Sequence, residues 1–349
     1  MPKLFAGLDV ADQTTEICVL DAGGKVVCQS SAGTTPAAIA KVLKPYRRFL
    51  VTVGQETGTK AMWLHKELVS RRFPMVCLDA RHAKSALAAK PNKTDKNDAK
   101  GLATLLRRGV FTTAHVKSDE SLRIRLVLAT RKTLQRKALD LQGSIRMTLK
   151  TFGARIESNR RRLILAKANA NNNHMLSSLI KVMADASDRL LAEVAILDEL
   201  IEALADNDPV CCRLMTIPGV GPITALAFRA AVDDPARFKS SRTVAAHFGL
   251  TPRLFQSGQS SFSGHISRYG DSSVRAALYS AASSLLNTSK TQWSLRTWGL
   301  RLAKQRGFKV AAVACARRLA VVMHRVWVSG RAFELQIASA QPKKQLPQN

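Results

Sequence analysis

The sequence predicts a mixed α/β domain at the N-terminus followed by a mostly helical half, and three patterns lead to this prediction. The first hundred residues alternate short apolar runs with amphipathic segments. Two long segments, 119–152 and 174–206, then repeat apolar residues every three or four positions. Beyond about Pro209 the pattern changes, and further apolar helices are expected over 272–286 and 309–328.

The N-terminal elements follow from the apolar runs and the turn residues between them. A hairpin turn over Asp21, Gly23 and Gly24 separates the second and third strands, and Thr35 and Pro36 begin the first helix. The strands are expected over 3–10, 15–20, 25–30, 49–53 and 75–79, and the helices over 35–43, 59–71 and 95–108. A three-strand meander followed by alternating helices and strands predicts a mixed sheet covered on both faces, which is the layout of the ribonuclease H fold.

The two long helices carry opposite charges. The first has the cations Arg123, Arg125, Arg131, Lys132, Arg136 and Lys137, and the second has the anions Asp185, Asp188, Glu193, Asp198, Glu199 and Glu202. This complementarity predicts an antiparallel helical hairpin, or a coiled-coil arm that joins subunits. The expected domains are 1–112 for the α/β domain, 113–208 for the arm, 209–335 for the helical C-terminal domain and 336–349 for a disordered tail.

The composition favours a protein that binds a polyanion. Lys and Arg number 54 against 25 Asp and Glu, which gives a formal net charge of +29. Nucleic acid is the expected partner, because many cationic side chains together release counterions from its phosphates. The six cysteines form no CxxC pair or zinc-type cluster, which argues against a structural zinc site. Because no signal peptide or membrane-spanning run is found, an intracellular, soluble protein is expected.

Four acidic residues stand where a metal site could form. Asp9 ends the first strand and Glu56 follows the fourth, and strand ends in such a sheet converge at one edge. Asp95 and Asp98 are three residues apart, so a helix would place both carboxylates on one face. Four carboxylates repel one another unless a hard cation such as Mg²⁺ binds them, and two such ions can hold the reacting oxygens of a phosphodiester. Taken singly, Asp9 could be a turn residue and Asp95 a helix cap.

Two segments of the second half could approach DNA closely. Residues 217–222, IPGVGP, resemble a helix-hairpin-helix turn, and Gly219 and Gly221 would expose backbone N–H groups to a phosphate. Residues 247–270 are rich in Gly and Ser and are expected to form a loop. A serine can attack phosphorus when it is activated, but composition does not choose among Ser257, Ser260, Ser261 and Ser263.

Several motifs together resemble one family of mobile-element enzymes. The N-terminal motifs are GLDV at 7–10, GQETG at 54–58 and KTDKNDA at 93–99. The C-terminal motifs are IPGVGPITA at 217–225, FGLTP at 248–252, QSG at 256–258 and GHISRYGDSSVRAAL at 264–278. In this order they are similar to the DEDD transposases of the insertion-sequence-110 family, which are related to Piv-type DNA invertases. The resemblance covers nearly the whole chain.

The resemblance implies a RuvC-like domain of the ribonuclease H fold, a helical arm that mediates assembly, and a C-terminal transposase domain. It implies that Asp9, Glu56, Asp95 and Asp98 form a metal-binding acidic tetrad, with Mg²⁺ as cofactor, and that Ser257 is a nucleophile that forms a phosphoserine link to DNA. It also implies donor and target DNA, and a bridge RNA that guides the enzyme to them.

Further expectations concern the partners and the alternatives. A dimer or tetramer is expected, because recombination needs several strand cuts. The expected location is the prokaryotic cytoplasm, at the nucleoid. The residues expected to contact nucleic acid are Lys93, Lys96, Gly219, Gly221, Arg268 and Arg275. Two alternatives remain open at this point: a metal-dependent junction-resolving endonuclease without a covalent step, and a non-catalytic nucleic-acid-binding protein.

Overall fold

A computed structural model of the chain describes residues 2–87, 94–154, 173–258 and 260–335. The expected tail 336–349, Lys93 and most of the connection between the two long helices lie outside the described residues. The contacts divide the chain into two compact units, Met1–Lys117 and Ser118–Asn349. Among the helices described, none combines the length and the apolar character that crossing a membrane requires. All six cysteines are free thiols.

The first unit is built on a five-stranded mixed sheet with the order β3-β2-β1-β4-β5. The strands are β1 Leu4–Val10, β2 Thr14–Asp21, β3 Val26–Gly33, β4 Leu50–Glu56 and β5 Met75–Leu78. The first three are antiparallel neighbours, whereas β4 runs parallel to both β1 and β5. This order and these directions agree with the ribonuclease H-type expectation, and they bring the carboxyl ends of β1 and β4 to the same edge of the sheet.

Helices cover both faces of this sheet. The first unit contains α1 Pro36–Leu43, α2 Ala61–Ser70, α3 Ala80–Leu87 and α4 Asp95–Arg108. On one face, Ile39 of α1 and Leu64 of α2 pack with Leu8 of β1, and on the other face Leu102 of α4 packs with Leu78 of β5. The predicted cap of α1 is confirmed, because the Thr35 hydroxyl accepts a hydrogen bond from the Ala38 N–H at 3.2 Å. Helix α3 lies in a segment for which the sequence predicts no helix.

Helix α4 lies directly on β1 because Gly7 has no side chain. A Cβ atom built on Gly7 would lie 2.2 Å from the Ala99 carbonyl oxygen and 2.5 Å from the Ala103 nitrogen. Gly54 of β4 faces the same helix, and a Cβ atom there would lie 2.6 Å from a methyl group of Leu106. The two glycines therefore let backbone meet backbone at the centre of the domain, which fixes the position of α4 above β1 and β4.

Replacing Gly7 with alanine is expected to lower the free energy of unfolding by roughly 3 kcal/mol, because a methyl group would overlap backbone atoms that cannot rotate away. Gly33→Ala is the matched control, since nothing lies within 4 Å of a Cβ at that position. Chemical denaturation of the two variants measures the difference. Equal stability of Gly7→Ala and the wild type would mean that α4 does not lie this close to β1.

The second unit begins with an antiparallel pair of long helices, α5 Asp119–Thr151 and α6 His174–Asp206. Ile145 and Leu149 near the end of α5 pack against Leu176 and Ile180 near the start of α6. The predicted charge complementarity is present in one partly buried ion pair, in which the Arg131 guanidinium donates to both carboxylate oxygens of Asp198. The described residues thus show the two helices packed antiparallel.

The remaining helices of the second unit surround one apolar core. They are α7 Pro209–Met215, α8 Pro222–Val232, α9 Ser241–His247, α10 Ser272–Asn287, α11 Ser294–Arg306 and α12 Phe308–Ser329. Phe228 and Phe248 are fully buried in this core, with ring centroids 5.8 Å apart in an edge-on arrangement. Leu319 and Met323 of α12 are also fully buried.

The expectation of a loop over 247–270 is wrong for most of that segment. It contains a β-hairpin, with β6 at Pro252–Ser257 and β7 at Ser260–Ile266. Every residue of β6 is exposed, as are most residues of β7. The hairpin therefore buries little apolar surface and has no amphipathic alternation for a sequence pattern to reveal.

Candidate active site

Two of the predicted catalytic acids line one cavity in the first unit. Asp9 and Glu56, at the carboxyl ends of the parallel strands β1 and β4, both border a cavity of about 240 Å³. Asp9 lies two residues after Gly7, and Glu56 two residues after Gly54, so both side chains leave the sheet on the face that carries α4. The prediction that these two strand ends converge is thus met by the geometry.

The other two acids lie in the first turn of α4. The Thr94 hydroxyl caps this helix by accepting from the Asn97 N–H at 3.2 Å, so Asp95 is not needed as the cap. Near the other end of α4, the Arg107 guanidinium donates to the Ala22 carbonyl, which lies beyond β2 at the end of the sheet where β1 begins. The first turn of α4 therefore points toward the end of β1, where Asp9 lies. Asp98 is half-buried and Asp95 is exposed.

An additional carboxylate, missed by the sequence reasoning, lies beside Asp9. Glu16 of β2 is the direct cross-strand partner of Asp9, so the two side chains share one face of the sheet. The Glu16 Oε2 atom is buried and has no hydrogen-bond partner. Like charges on directly opposed residues destabilise a sheet unless a cation offsets them. The strand alternation Glu16, Cys18, Leu20 could have revealed this position.

The carboxylate oxygens at this edge fit a hard divalent cation in their chemistry. Within the described ranges, however, no three His, Cys, Asp or Glu side chains are gathered closely enough to hold a metal ion. The structure thus brings Asp9 and Glu56 to one cavity and turns the start of α4 toward the same edge, but it does not join the four acids into a finished coordination site.

A cation of the chain itself lies in this cavity. Lys60 borders it and forms an ion pair with Asp12, with 2.8 Å between Nζ and Oδ1. The hydrogen bond and the charge of Lys60 lower the pKa of Asp12 below its ordinary value. Because the two charges offset each other, Asp12 adds little to the negative potential of the cavity. The sequence analysis did not predict this pair.

Ser257 stands at the tip of the β6–β7 hairpin in the second unit. It is the last residue of β6, it is exposed, and it precedes Gly258, whose φ of +57° turns the chain. The Ser260 hydroxyl donates to the Ser257 carbonyl at 3.0 Å. In the described part of the chain, no basic or acidic side chain is hydrogen-bonded to the Ser257 hydroxyl.

The base of the hairpin is held by two interlocked glycines. A Cβ atom on Gly249 would lie 2.2 Å from the Tyr269 carbonyl oxygen, and one on Gly270 would lie 2.2 Å from the His247 carbonyl oxygen. Both glycines have positive φ angles, +68° and +78°. The FGLTP and RYG motifs are therefore two halves of one close backbone contact.

The arginines predicted to contact nucleic acid differ in their surroundings. The Arg275 guanidinium donates to the carbonyl groups of Phe248, Tyr269 and Gly270, at 3.2, 2.9 and 3.1 Å, so it closes the base of the hairpin. Arg268 is exposed and has a positive φ angle of +58°. In the first unit, Lys96 is exposed beside Asp95. Arg275 thus has a structural role, whatever its role toward nucleic acid.

The glycine turn between α7 and α8 is used partly for packing. Gly219 has φ +88°, and a Cβ atom there would lie 2.6 Å from the Ala281 carbonyl oxygen of α10. Gly221 is exposed, and it occupies the N-cap position of α8 without a side chain to fill it. Of the two glycines, Gly221 leaves room for a phosphate, whereas Gly219 is required by the contact with α10.

A neighbouring N-cap shows how the second unit is tied together. Asp271 caps α10 by accepting from the N–H groups of Ser273 and Val274, and it forms an ion pair with Arg125 of α5. Burial raises the pKa of Asp271, but the hydrogen bond and charge of Arg125 and the two backbone hydrogen bonds outweigh it, so the pKa is lowered. This ion pair links the helical arm to the start of α10.

Two family models match the chain. The model described as "Transposase", for DEDD transposases of the IS110 type, matches residues 6–153, which include Asp9, Glu56, Asp95 and Asp98. The model described as "Transposase IS116/IS110/IS902 family" matches residues 211–297, which include the glycine turn and the Ser257 hairpin. Each candidate half of the site thus lies within a separate matched region.

Three relatives that carry the name transposase agree with the two models. The transposase for insertion sequence element IS1111A of Coxiella burnetii is 27% identical over 91% of this chain and 87% of its own length. A "Probable family 20 transposase" of Pseudomonas aeruginosa is 26% identical over 91% of this chain and 94% of its own length. The transposase for insertion sequence element IS1328 of Yersinia enterocolitica is 34% identical over 39% of this chain and 40% of its own length. On these matches the chain is a DNA transposase, similar to the transposases of the IS116/IS110/IS902 family.

Proposed function

We propose that this transposase cuts and rejoins DNA with two half-sites, one in each unit of the chain. Asp9, Glu56, Asp95 and Asp98 would hold divalent metal, with Mg²⁺ as the expected ion, and Ser257 would attack the DNA. The observation that supports this most is the common edge: two strand-end acids share a cavity, and the start of α4 points toward it. The exposed serine at a hairpin tip supplies the second half.

The acidic half-site would act on the phosphate electrostatically. Magnesium, when bound, supplies positive charge that polarises the scissile phosphate and stabilises charge on the leaving oxygen. The carboxylates of Asp9 and Glu56 would be ligands of this ion. Their positions are fixed because the sheet holds the backbone at the strand ends. On the same face, the buried Oε2 atom of Glu16 has no hydrogen-bond partner. A bound cation would offset the cost of burying this oxygen.

The serine half-site would carry the covalent step. The Ser257 oxygen forms a bond to phosphorus, the bond from phosphorus to one DNA oxygen breaks, and that oxygen leaves with the serine proton. A hydroxyl group of another DNA end then attacks the phosphoserine ester and releases Ser257. Because each step exchanges one phosphodiester-type bond for another, strands can be rejoined without an external energy source.

Base pairing would supply sequence choice. We propose that a bridge RNA pairs with donor and target DNA, while exposed cations such as Lys96 and Arg268 contact backbones without reading sequence. Gly221, which has no side chain at the N-cap position, would let a phosphate approach the backbone N–H groups at the start of α8. A dimer or tetramer, assembled through the helical arm, would bring together the several half-sites that recombination requires. The expected location is the cytoplasm, at the nucleoid.

Purified protein, with the RNA that co-purifies with it, tests this proposal. Incubated with Mg²⁺ and end-labelled donor and target DNA, it is expected to form a protein–DNA adduct that survives a denaturing gel and disappears after protease digestion. Ribonuclease treatment before incubation is expected to abolish the adduct, and sequencing identifies the RNA. Cleaved DNA without an adduct would instead support a metal-dependent endonuclease. An adduct that still forms after ribonuclease treatment would contradict RNA guidance but not the covalent step.

A further inference from the structure

The β6–β7 hairpin exposes a stacked pair of aromatic rings. Phe255 and Phe262 are cross-strand partners, and their rings lie parallel within 15° with centroids 4.8 Å apart. Phe255 is 46% exposed and Phe262 is 62% exposed. Phenylalanine rings are apolar, so their exposure to water is unfavourable. A stacked pair of exposed rings therefore favours a partner with a flat apolar face.

These rings and Ser257 lie on one face of the hairpin. Ser257 follows Phe255 by two residues, and strand side chains alternate between faces, so both point to the same side. A cavity of about 330 Å³ is bordered by Phe255, Ser257 and Phe262 together. Gly264 makes room for the pair, because a Cβ atom there would lie 2.9 Å from the Phe255 ring. Whatever lies on the rings is therefore next to the Ser257 hydroxyl.

The charge around the hairpin selects the kind of partner. The hairpin and its base, 252–268, contain no Asp or Glu, and their cations are Arg253 and Arg268. Arg253 lies over the ring of Tyr269, 5.4 Å from its centroid, and thus adds a second cationic and aromatic surface at the hairpin. Aromatic faces beside cationic side chains are the features that bind single-stranded nucleic acid.

We propose that the rings of Phe255 and Phe262 hold an unpaired DNA base by stacking, and thereby place the adjoining phosphate beside Ser257. The inference rests on the proposed role of Ser257 as nucleophile. A strand that is cut and exchanged must leave its duplex, and its bases then lose their stacking partners. The phenylalanine pair replaces one of those partners without reading the sequence, since every base has a π face.

The test uses Ser257→Ala protein, which cannot form the adduct, and DNA that carries the fluorescent base 2-aminopurine in a single-stranded flap at the cleavage position. Binding of the parent protein is expected to change the fluorescence of this base. With Phe262→Ala added, the change is expected to disappear, and affinity for the flap DNA is expected to fall roughly tenfold to a hundredfold. Phe262→Tyr, which keeps a ring, is expected to restore both.

Val310→Ala is the matched control, because Val310 lies on α12, outside the hairpin, and is exposed to a similar degree as the rings, at 50%. An equal loss in Val310→Ala, or no loss in Phe262→Ala, would overturn the proposal. A change in the size of the DNA-free protein in Phe262→Ala would also overturn it, since it would assign the rings to a protein contact. If Ser257→Ala still forms the adduct, Ser257 is not the nucleophile. The fluorescence change of the same variant then still tests whether the rings stack on a base.

Discussion

Alanine in place of Ser257 is expected to abolish the covalent protein–DNA product and to reduce strand exchange by at least about 10³-fold, because no other group forms the ester. DNA binding is expected to remain, since the hydroxyl is one small group on a fully exposed strand. The adduct is measured on a denaturing gel, and binding is measured by fluorescence anisotropy with the same DNA.

The neighbouring serines provide the controls for this prediction. Ser261 and Ser263 face away from Ser257 by strand alternation, and the Ser260 hydroxyl is bound to the Ser257 carbonyl. Alanine at each of these three positions is expected to leave the adduct within about threefold of the wild-type amount, by analogy with other exposed substitutions. Loss of the adduct in Ser261→Ala with retention in Ser257→Ala would move the nucleophile to the other face. Full cleavage by all four variants would favour the endonuclease without a covalent step.

Asparagine in place of Asp9 is expected to reduce metal-dependent cleavage by about 10³-fold, because the loss of a ligand charge removes several kcal/mol of transition-state stabilisation. A binding readout separates this effect from folding. Mn²⁺ or Mg²⁺ is expected to raise the melting temperature of the wild-type protein and to leave that of Asp9→Asn unchanged.

The control for Asp9→Asn is Asp21→Asn, which removes the same charge at the other end of the sheet. Asp21 pairs with Leu4 at the start of β1, and its carboxylate accepts from the Lys25 N–H at 2.9 Å in a turn. This variant is expected to keep both cleavage and the metal-induced stabilisation. If Asp9→Asn retains the metal response, the strand-end cavity is not the metal site, and the proposed acidic half-site is wrong.

The parts of the fold that the sequence predicts are those with a strong apolar period. The long helices begin at Asp119 and His174 as expected, because three-four spacing is maintained for 33 residues in each. The strand ends at Asp9 and Glu56 follow from short buried runs that stop at a polar residue. The helix cap at Thr35 is also predicted correctly, because a cap depends only on the side chain and backbone of one helical turn.

The parts that the sequence does not predict depend on contacts between distant segments. The hairpin at 252–266 is held by its own ladder and by the Gly249–Gly270 contact, and no apolar face marks it. Arg275 reads as a free cation until three carbonyl groups converge on it. The alternation of Glu16 with apolar residues along its strand is visible in the sequence, but the position of Glu16 opposite Asp9 requires the strand register.

The interlocked glycines have a mechanical consequence for strand exchange. The backbone contacts of Gly249 and Gly270, together with the hydrogen bond from the Ser267 N–H to the Thr251 carbonyl at 2.8 Å, fix one end of the hairpin to the core. The opposite end, with Ser257, has no such attachment among the described residues. We therefore expect the hairpin to bend about its fixed end. With Ser257 joined to DNA as proposed, the tip of the hairpin would move with the DNA end while the helices around Phe248 keep their packing.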